Sequence, residues 1–398
     1  MKKNGKLLMA LNGYGIRNNV DYKIIQVPAE NTEFISQKLY NLLINKMPGI
    51  AILSILFLSI SCAINAQTTI AVPQLEPIVS QGSGIFSMSP PKGHMPAMDK
   101  MPAMGPDTAN TSSINTQYLG ISYGSVSKTQ TLDIYLPNEG KGPFPVVIDI
   151  HGGAFMVGNS RTHFEGDIIN ACENHGYAVV SINYRLSGEA RFPRAVNDAK
   201  AAVRFVRANA AKYNFNPNKI VAWGGSAGGN LAAMLGTTGN VDNLNGDNTE
   251  NLAYSSSVQA VIDWFGPCDF LKYDDQFKAS GIHTPFGSVF SPDSPESLYI
   301  GKSVNDVPAF AGKANPETYI GKMDTKTAPY FFIEHGSADQ NIPTVQSKNL
   351  ANTLKAQIGA DKVSIEILNG ARHGDPAFFT PENFTKAFKF LDAVLNLK

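Results

Sequence analysis

The chain has 398 residues, which allows two or three ordinary domains or one large domain with extensions. Hydrophobic residues make up 43% of the sequence and charged residues 17%, so extensive disorder is excluded. The 33 basic and 33 acidic side chains balance, and three cysteines are present, which argues against a nucleic-acid partner, a disulfide-stapled scaffold and a zinc ribbon.

An apolar run within residues 1–66 predicts export. Residues 49–64 are apolar and uncharged, Lys46 precedes them and the sequence INAQ follows. The run is shorter than the roughly 18 residues of a spanning helix, and its flanks are typical of a secretory signal peptide. We expect cleavage after Ala66, a secreted or periplasmic protein and no stable membrane insertion. A membrane anchor and a buried hairpin are alternatives, and Cys62 leaves a lipoprotein open.

Residues 67–117 have the composition of a flexible linker. The stretch 90–106 is rich in Pro, Gly and Met and shows no helix or strand period. Such a segment lacks the apolar content needed to order itself. Its methionines and one histidine are also soft ligands of the kind that Cu(I) prefers, so metal binding is the alternative.

Residues 118–398 alternate apolar strands with amphipathic helices. Alternating or continuous apolar runs predict strands at 118–123, 131–136, 145–150, 177–185, 219–225, 258–266, 330–336 and 363–368. Steps of three and four residues between 196 and 210 predict a helix, as do LAAML at 231–235 and the cap at 380–382. This pattern predicts an α/β fold, with a mostly parallel sheet covered by helices on both faces.

The weakly periodic residues 267–329 interrupt this alternation. We interpret them as an excursion inserted over the end of the sheet where the strands finish. In open α/β sheets that end carries the functional site.

The sequence GGSAGG at 224–229 stands between a predicted strand and a predicted helix. This is the context of a nucleophile elbow, a strained turn that presents Ser226 at a helix N terminus. Glycines two residues before and after the serine prevent clashes. The alternative is a glycine-rich turn with a capping serine.

The sequence His151-Gly152-Gly153 directly follows another predicted strand. Glycines let backbone N–H groups approach a substrate oxygen closely. We therefore expect Gly152, Gly153 and Ala227 to form an oxyanion hole. His151 is expected to hold this loop and not to act as a base.

A serine nucleophile needs a base and an acid, which follow it in the order Asp or Glu, then His. His373 comes after the last predicted strand and is the expected base, while His283 lies in the insertion and His335 is expected to bond to the backbone. Asp339 comes after the preceding strand and is the expected acid, with Asp269 as its rival.

These motifs, in this order and each after a strand, resemble the α/β-hydrolase esterases of the HGG-loop, hormone-sensitive-lipase-like type. The closest resemblance is to bacterial acetylxylan and feruloyl esterases. It covers residues 118–398 and rests on stretches such as KIVAWGGSAGGNLAA, HGSADQNIP and ARHGDPAFF. The resemblance implies an α/β-hydrolase fold and an esterase triad of Ser226, Asp339 and His373.

Two positions depart from the family pattern. Ala154 stands where many relatives have a third glycine, although only its backbone N–H is needed there. Asp375 follows His373-Gly374 where a small or apolar residue is more common, so we expect it to affect the pH profile or the acyl preference. Cys172 and Cys268 could pair in an oxidising compartment, and the sequence leaves this open.

The sequence thus predicts a serine carboxylesterase that needs no cofactor. Its expected substrates are short acyl or feruloyl esters, either of small molecules or of plant polysaccharide. The alternatives are a general lipase-like carboxylesterase, a prolyl-oligopeptidase-like peptidase and a non-catalytic binding module of the same fold. Residues 67–117 are too few for the propeller of such a peptidase. A binding module would normally have lost the serine or the histidine.

Overall fold

The computed structural model describes residues 22–25, 70–73 and 109–396 and divides the chain into two units, residues 1–89 and 90–398. In the first unit, strands β1 (Tyr22–Ile25) and β2 (Ile70–Pro73) pair antiparallel. The predicted signal segment 49–64, its cleavage site and the methionine-rich stretch 90–106 lie outside the described residues. Within the described ranges, no helix has the length and apolar character to cross a bilayer.

The second unit is built on an eight-stranded sheet. Its strands are β3 (Thr116–Ser122), β4 (Thr131–Leu136), β5 (Phe144–Ile150), β6 (Ala178–Ile182), β7 (Phe215–Gly225), β8 (Ala260–Trp264), β9 (Tyr330–Gly336) and β10 (Val363–Leu368). Their order across the sheet is β10-β9-β8-β7-β5-β6-β4-β3. Strand β4 pairs antiparallel with both neighbours and all other pairs are parallel, which confirms the predicted fold class.

The helices of this unit are α1 (His163–Asn174), α2 (Arg194–Ala208), α3 (Ala210–Tyr213), α4 (Ala227–Thr238), α5 (Tyr273–Ser280), α6 (Pro295–Ile300), α7 (Pro308–Ala311), α8 (Glu317–Ile320), α9 (Thr344–Ile358) and α10 (Pro381–Leu395). Helix α10 begins where its sequence predicts. The Thr380 side chain accepts a hydrogen bond from the Asn383 N–H, and Pro381 occupies the first turn.

The sheet is covered on both faces. Ile148 and Val180 pack into a cluster with helices α2, α4 and α9, whereas Val147 and Val179 face helices α1 and α10. Because side chains alternate along a strand, a strand that is buried on both sides must be apolar throughout. This explains the continuous apolar runs in the sequence.

Strand β5 lies between β6 and β7, so the chain crosses to one side of β5 and then to the other. At such a switch point the loops after neighbouring strands diverge and leave a crevice at the carboxyl end of the sheet. The insertion between β8 and β9 carries helices α5–α8. The two glycine-rich motifs lie on the two sides of the crevice, at the ends of β5 and β7.

The described residues of the second unit include 109–117, which precede residue 118, the expected start of the catalytic domain. Ile114 is buried, and the Ala109 N–H donates to the Arg161 carbonyl at 2.8 Å. One apolar anchor and a few backbone hydrogen bonds therefore attach a polar segment that shows no periodicity.

Both described cysteines are buried and free. Cys172 packs in the cluster under α1 and α10, and Cys268 in the cluster on the opposite face. Burial raises the pKa of both thiols well above the usual value, which keeps them protonated and unreactive.

The start of α4 packs directly against the end of β5. A Cβ atom on Gly228 would overlap the Ile150 carbonyl oxygen. We expect Gly228→Ala to lower the free energy of unfolding by about 3 kcal/mol, because neither backbone segment can move away without disturbing the sheet. Denaturant titration measures this loss. Gly321→Ala is the matched control, because its Cβ would meet open space and its φ is −61°. Equal losses in both variants would contradict the prediction.

Candidate active site

Ser226 lies in the turn between β7 and α4, in the strained conformation expected of an elbow. Its φ is 57° and its ψ is −123°, and its N–H donates to the Trp264 carbonyl at 2.9 Å. Side chains at Gly224 or Gly228 would overlap neighbouring backbone. The turn therefore requires both glycines, and it presents the Ser226 hydroxyl at the N terminus of α4.

The structure brings the three predicted triad residues together. The Nε2 atom of His373 is 2.9 Å from Ser226 Oγ, and its Nδ1 atom is 2.8 Å from Asp339 Oδ2. Because a carboxylate only accepts, Nδ1 carries the proton and Nε2 is free to accept from the serine. In this arrangement an imidazole can remove the hydroxyl proton. The His373 side chain is 17% exposed and the Asp339 side chain is fully buried.

Asp339 is held by donors on both oxygens. Oδ1 accepts from the N–H groups of Asn341 at 2.7 Å and Ile342 at 2.9 Å. Burial alone would raise the pKa of Asp339. The neighbouring His373, together with hydrogen bonds from His335 and His373, outweighs burial and holds that pKa well below its usual value. Asp339 is therefore a carboxylate at neutral pH.

The rival residues do not form the bonds of the triad: Asp269 is not bonded to His373, and His283 and His335 are not bonded to Ser226. Asp269 Oδ1 accepts hydrogen bonds from the Leu271 N–H and the Asn315 side chain, both at 3.0 Å. His283 is exposed in the insertion. His335 is buried and contacts the Ile342 carbonyl, as its expected backbone role requires, and it also lies 3.2 Å from Asp339 Oδ2.

The loop after β5 passes beside the serine. A Cβ atom on Gly152 would lie 3.0 Å from the Gly225 carbonyl oxygen and 3.5 Å from Ser226 Cβ, and Gly153 has a φ of +105°. Ala227 is the first residue of α4, so its N–H has no acceptor within the helix. All three predicted oxyanion-hole residues line the same cavity as Ser226.

A buried carboxyl pair lies behind this loop. Burial raises the pKa of Glu165 well above its usual range, and nearby Asp149 raises it further, while N–H groups of Glu165 and Gly152 partly offset these effects. Burial also raises the pKa of Asp149 to about 7, although a hydrogen bond from Ser181 partly lowers it. The Glu165 carboxyl thus lies near the backbone of Gly152, behind the loop.

His151 is a structural residue of the loop. Its ring stacks on Tyr184 with centroids 4.3 Å apart, and its Nδ1 is 2.7 Å from the Gly152 carbonyl. Burial lowers its pKa to about 4, although the Gly152 hydrogen bond opposes this shift. A neutral, fully buried imidazole held in this way fits the role predicted for it.

A cavity of about 420 Å³ opens over the serine. One wall comes from the insertion and includes Tyr273, Phe277, Val289 and Glu296. Burial raises the pKa of Glu296 to about 7. The insertion, which we expected over this end of the sheet, therefore forms one side of the cavity and lines it with aromatic rings and a half-buried carboxyl.

One of the two departures from the family pattern has a local explanation. Asp375 caps the short 3-10 helix Pro376–Phe379, since its side chain accepts from the Ala377 N–H at 3.0 Å. Ala154 has a φ of 55° and lines the cavity. In the described part of the chain, no group of three or more His, Cys, Asp or Glu residues is placed to hold a metal ion.

Sequence reasoning missed two features of the site: the second histidine on Asp339 and the carboxyl pair behind the loop. The spacing of His335 and Asp339 carries no periodic signal, because a turn after β9 brings them together. Glu165 reads as an ordinary acidic residue in the first turn of a helix. Only the fold shows that it is buried.

Comparisons with known proteins find esterases among the relatives of this chain. Esterase LipC of Mycobacterium tuberculosis is 30% identical over 64% of this chain and 59% of its own length. The next two curated relatives are matched over 56% and 51% of their lengths, so the chain spans about half to three fifths of these proteins.

Two solved structures are similar at comparable identity. A truncated carbohydrate esterase from gut microbiota has a TM-score of 0.64 and 31% identity, over 72% of this chain and 99% of its own. A bifunctional GH43-CE protein of Bacteroides eggerthii has a TM-score of 0.61 and 32% identity, over 70% of this chain and 35% of its own.

The BD-FAE family model matches residues 132–354. This range is more than half of the chain and contains Ser226 and Asp339, while His373 lies beyond it. The predicted α/β-hydrolase fold is therefore confirmed, and the chain belongs to the BD-FAE family of α/β-hydrolase esterases.

Proposed function

We propose that this protein is a serine carboxylesterase that cleaves short acyl or feruloyl esters, including esters on plant polysaccharide. The observation that carries the proposal is the hydrogen-bonded chain from Ser226 through His373 to Asp339, placed at the mouth of a cavity beside a glycine loop. The carbohydrate esterases among the similar structures support the sugar-linked substrate.

In the proposed reaction, Ser226 Oγ attacks the ester carbonyl carbon while His373 Nε2 takes the hydroxyl proton. Asp339 stabilises the resulting imidazolium. The tetrahedral oxyanion accepts hydrogen bonds from Gly152, Gly153 and Ala227. The C–O bond to the alcohol then breaks, and His373 returns the proton to the leaving oxygen. Water repeats the sequence on the acyl-enzyme and releases the acid.

The leaving alcohol must lie on the His373 side of the cavity, because that ring protonates it. Phe379, close after His373 in the chain, lines this side together with Phe164 of α1. Their ring centroids are 5.2 Å apart, and Phe379 stands edge-on against Trp264 at 5.5 Å. Two adjacent rings beside the leaving group offer an apolar surface to one face of a sugar ring.

The nucleophile can be tested directly. Ser226→Ala should fold normally and lower kcat by on the order of 10³–10⁶, because among the described residues no other hydroxyl is hydrogen-bonded to His373. An organophosphonate that inactivates the enzyme should label Ser226, and peptide mass mapping identifies the modified residue. Inactivation with Ser226 unmodified would refute the assignment.

Mutation can show whether Asp339 or its rival Asp269 is the acid of the triad. Asp339→Asn should lower kcat by roughly 10⁴, because an amide in place of the carboxylate disfavours the reactive tautomer of His373. Asp269→Asn is the matched control and should leave kcat nearly unchanged, since the Asp269 carboxylate accepts from the Leu271 N–H and the Asn315 side chain and not from His373. Reversed penalties in steady-state kinetics would assign the acid to the end of β8.

The size of the cavity bounds the acyl group. We expect kcat/KM on 4-nitrophenyl esters to fall steeply beyond about six acyl carbons, because a cavity of ordinary ligand size cannot enclose a long chain. Methyl ferulate and acetylated xylan should both release acid. A maximum at twelve or more carbons, with no release from xylan, would instead indicate a lipase-like enzyme.

Substitution of Phe164 and Phe379 tests whether their rings bind the sugar of the leaving group. Phe164→Ala and Phe379→Ala should each lower kcat/KM about fivefold or more on acetylated xylobiose and leave ethyl acetate hydrolysis unchanged, because only the sugar covers the rings. Phe310→Ala is the control, since Phe310 is 38% exposed against 39% for Phe164 and does not line the cavity. Equal losses on both esters would contradict this use of the rings.

A further inference from the structure

A second histidine contacts the carboxylate of Asp339. His335 is fully buried near the end of β9. Its Nε2 atom is 3.1 Å from the Ile342 carbonyl oxygen and 3.2 Å from Asp339 Oδ2. Its Nδ1 atom is 2.7 Å from the Ser347 hydroxyl on α9. The ring therefore connects α9 to the acid of the proposed triad.

The contacts of His335 define where its proton lies. A carbonyl oxygen only accepts hydrogen bonds, so Nε2 must carry a hydrogen. The neutral ring then has its lone pair on Nδ1, where the Ser347 hydroxyl can donate. One proton on Nε2 is shared between the Ile342 carbonyl and Asp339 Oδ2. Every polar atom of the pair His335–Ser347 is satisfied in this arrangement, which is what full burial demands.

Asp339 thereby has a complete set of donors. Oδ1 accepts from two backbone N–H groups, and Oδ2 lies 2.8 Å from His373 Nδ1 and 3.2 Å from His335 Nε2. The two N–H groups fix Oδ1. Rotation of the carboxylate about Oδ1 would still move Oδ2 relative to His373 Nδ1. The contact with His335 Nε2 gives Oδ2 a second restraint beside the one from His373.

We propose that His335 is a positioning residue, which acts through Asp339 to hold Oδ2 in line with His373 Nδ1. Ser347 selects the tautomer of His335 that can donate. The inference rests on the proposed role of Asp339 as the acid, and it assigns to His335 no contact with substrate.

A double-mutant cycle tests this inference in the full chain. His335→Met removes the donor, and it should lower kcat on 4-nitrophenyl acetate about tenfold to a hundredfold while KM changes less than about twofold, as expected for a hydrogen bond to a charged group. In the Asp339→Asn background the same substitution should cost less than about twofold, because the group it acts on is gone.

His335→Gln should rescue most of the loss, because its amide nitrogen takes the place of Nε2. Ser347→Ala should lower kcat in the same direction as His335→Met but less. Thr344→Val is the matched control: it also removes a hydroxyl hydrogen bond between α9 and β9, to the Gly336 carbonyl at 2.7 Å, but touches neither histidine. It should leave kcat unchanged.

The results separate this inference from the proposed function. A His335→Met penalty that is equal in both backgrounds, or absent, would overturn the positioning role while the triad stands. A small penalty for Asp339→Asn itself would overturn the triad and the inference together. If His335→Met fails to fold, as circular dichroism would show, Ser347→Ala and its Asp339→Asn double variant form the same cycle with the same criterion.

Discussion

The whole site depends on how closely the first turn of α4 approaches the end of β5. The absence of a side chain at Gly228 lets the helix start against the Ile150 carbonyl. This contact holds Ser226 in a backbone conformation that an L-residue rarely adopts, and it fixes the distance from the serine to the loop that begins at His151. Close packing of the glycines on both sides of Ser226 holds the residue in this strained backbone conformation.

The rest of the site is held from behind by buried polar groups. His151 and Glu165 support the glycine loop, and His335 and two backbone N–H groups hold Asp339. None of these groups needs to touch an ester. Because each of these groups is buried where the dielectric constant is low, its hydrogen bonds are costly to break. These buried hydrogen bonds therefore hold the glycine loop and Asp339 rigidly on the side that faces away from solvent.

Sequence patterns predicted the fold and the residues of the central hydrogen-bonded chain because both depend on local signals. Strand and helix periods mark the sheet, and Ser226 and His373 each follow a strand end where chemistry can occur. The contact of His335 with Asp339, the burial of Glu165 and the packing of Ile114 could not be predicted, since each depends on which distant segments meet. Asp375 shows the converse case: its position near His373 suggested chemistry, but its side chain caps a short helix.

The insertion between β8 and β9 leaves the sheet and returns to it without supplying Ser226, Asp339 or His373. It nevertheless forms one wall of the cavity. The residues of the proposed triad and this wall of the cavity thus come from separate stretches of the chain. In evolutionary terms, duplicated copies of such a gene can diverge in substrate through this one segment, whereas changes at the elbow glycines are eliminated whatever the substrate is.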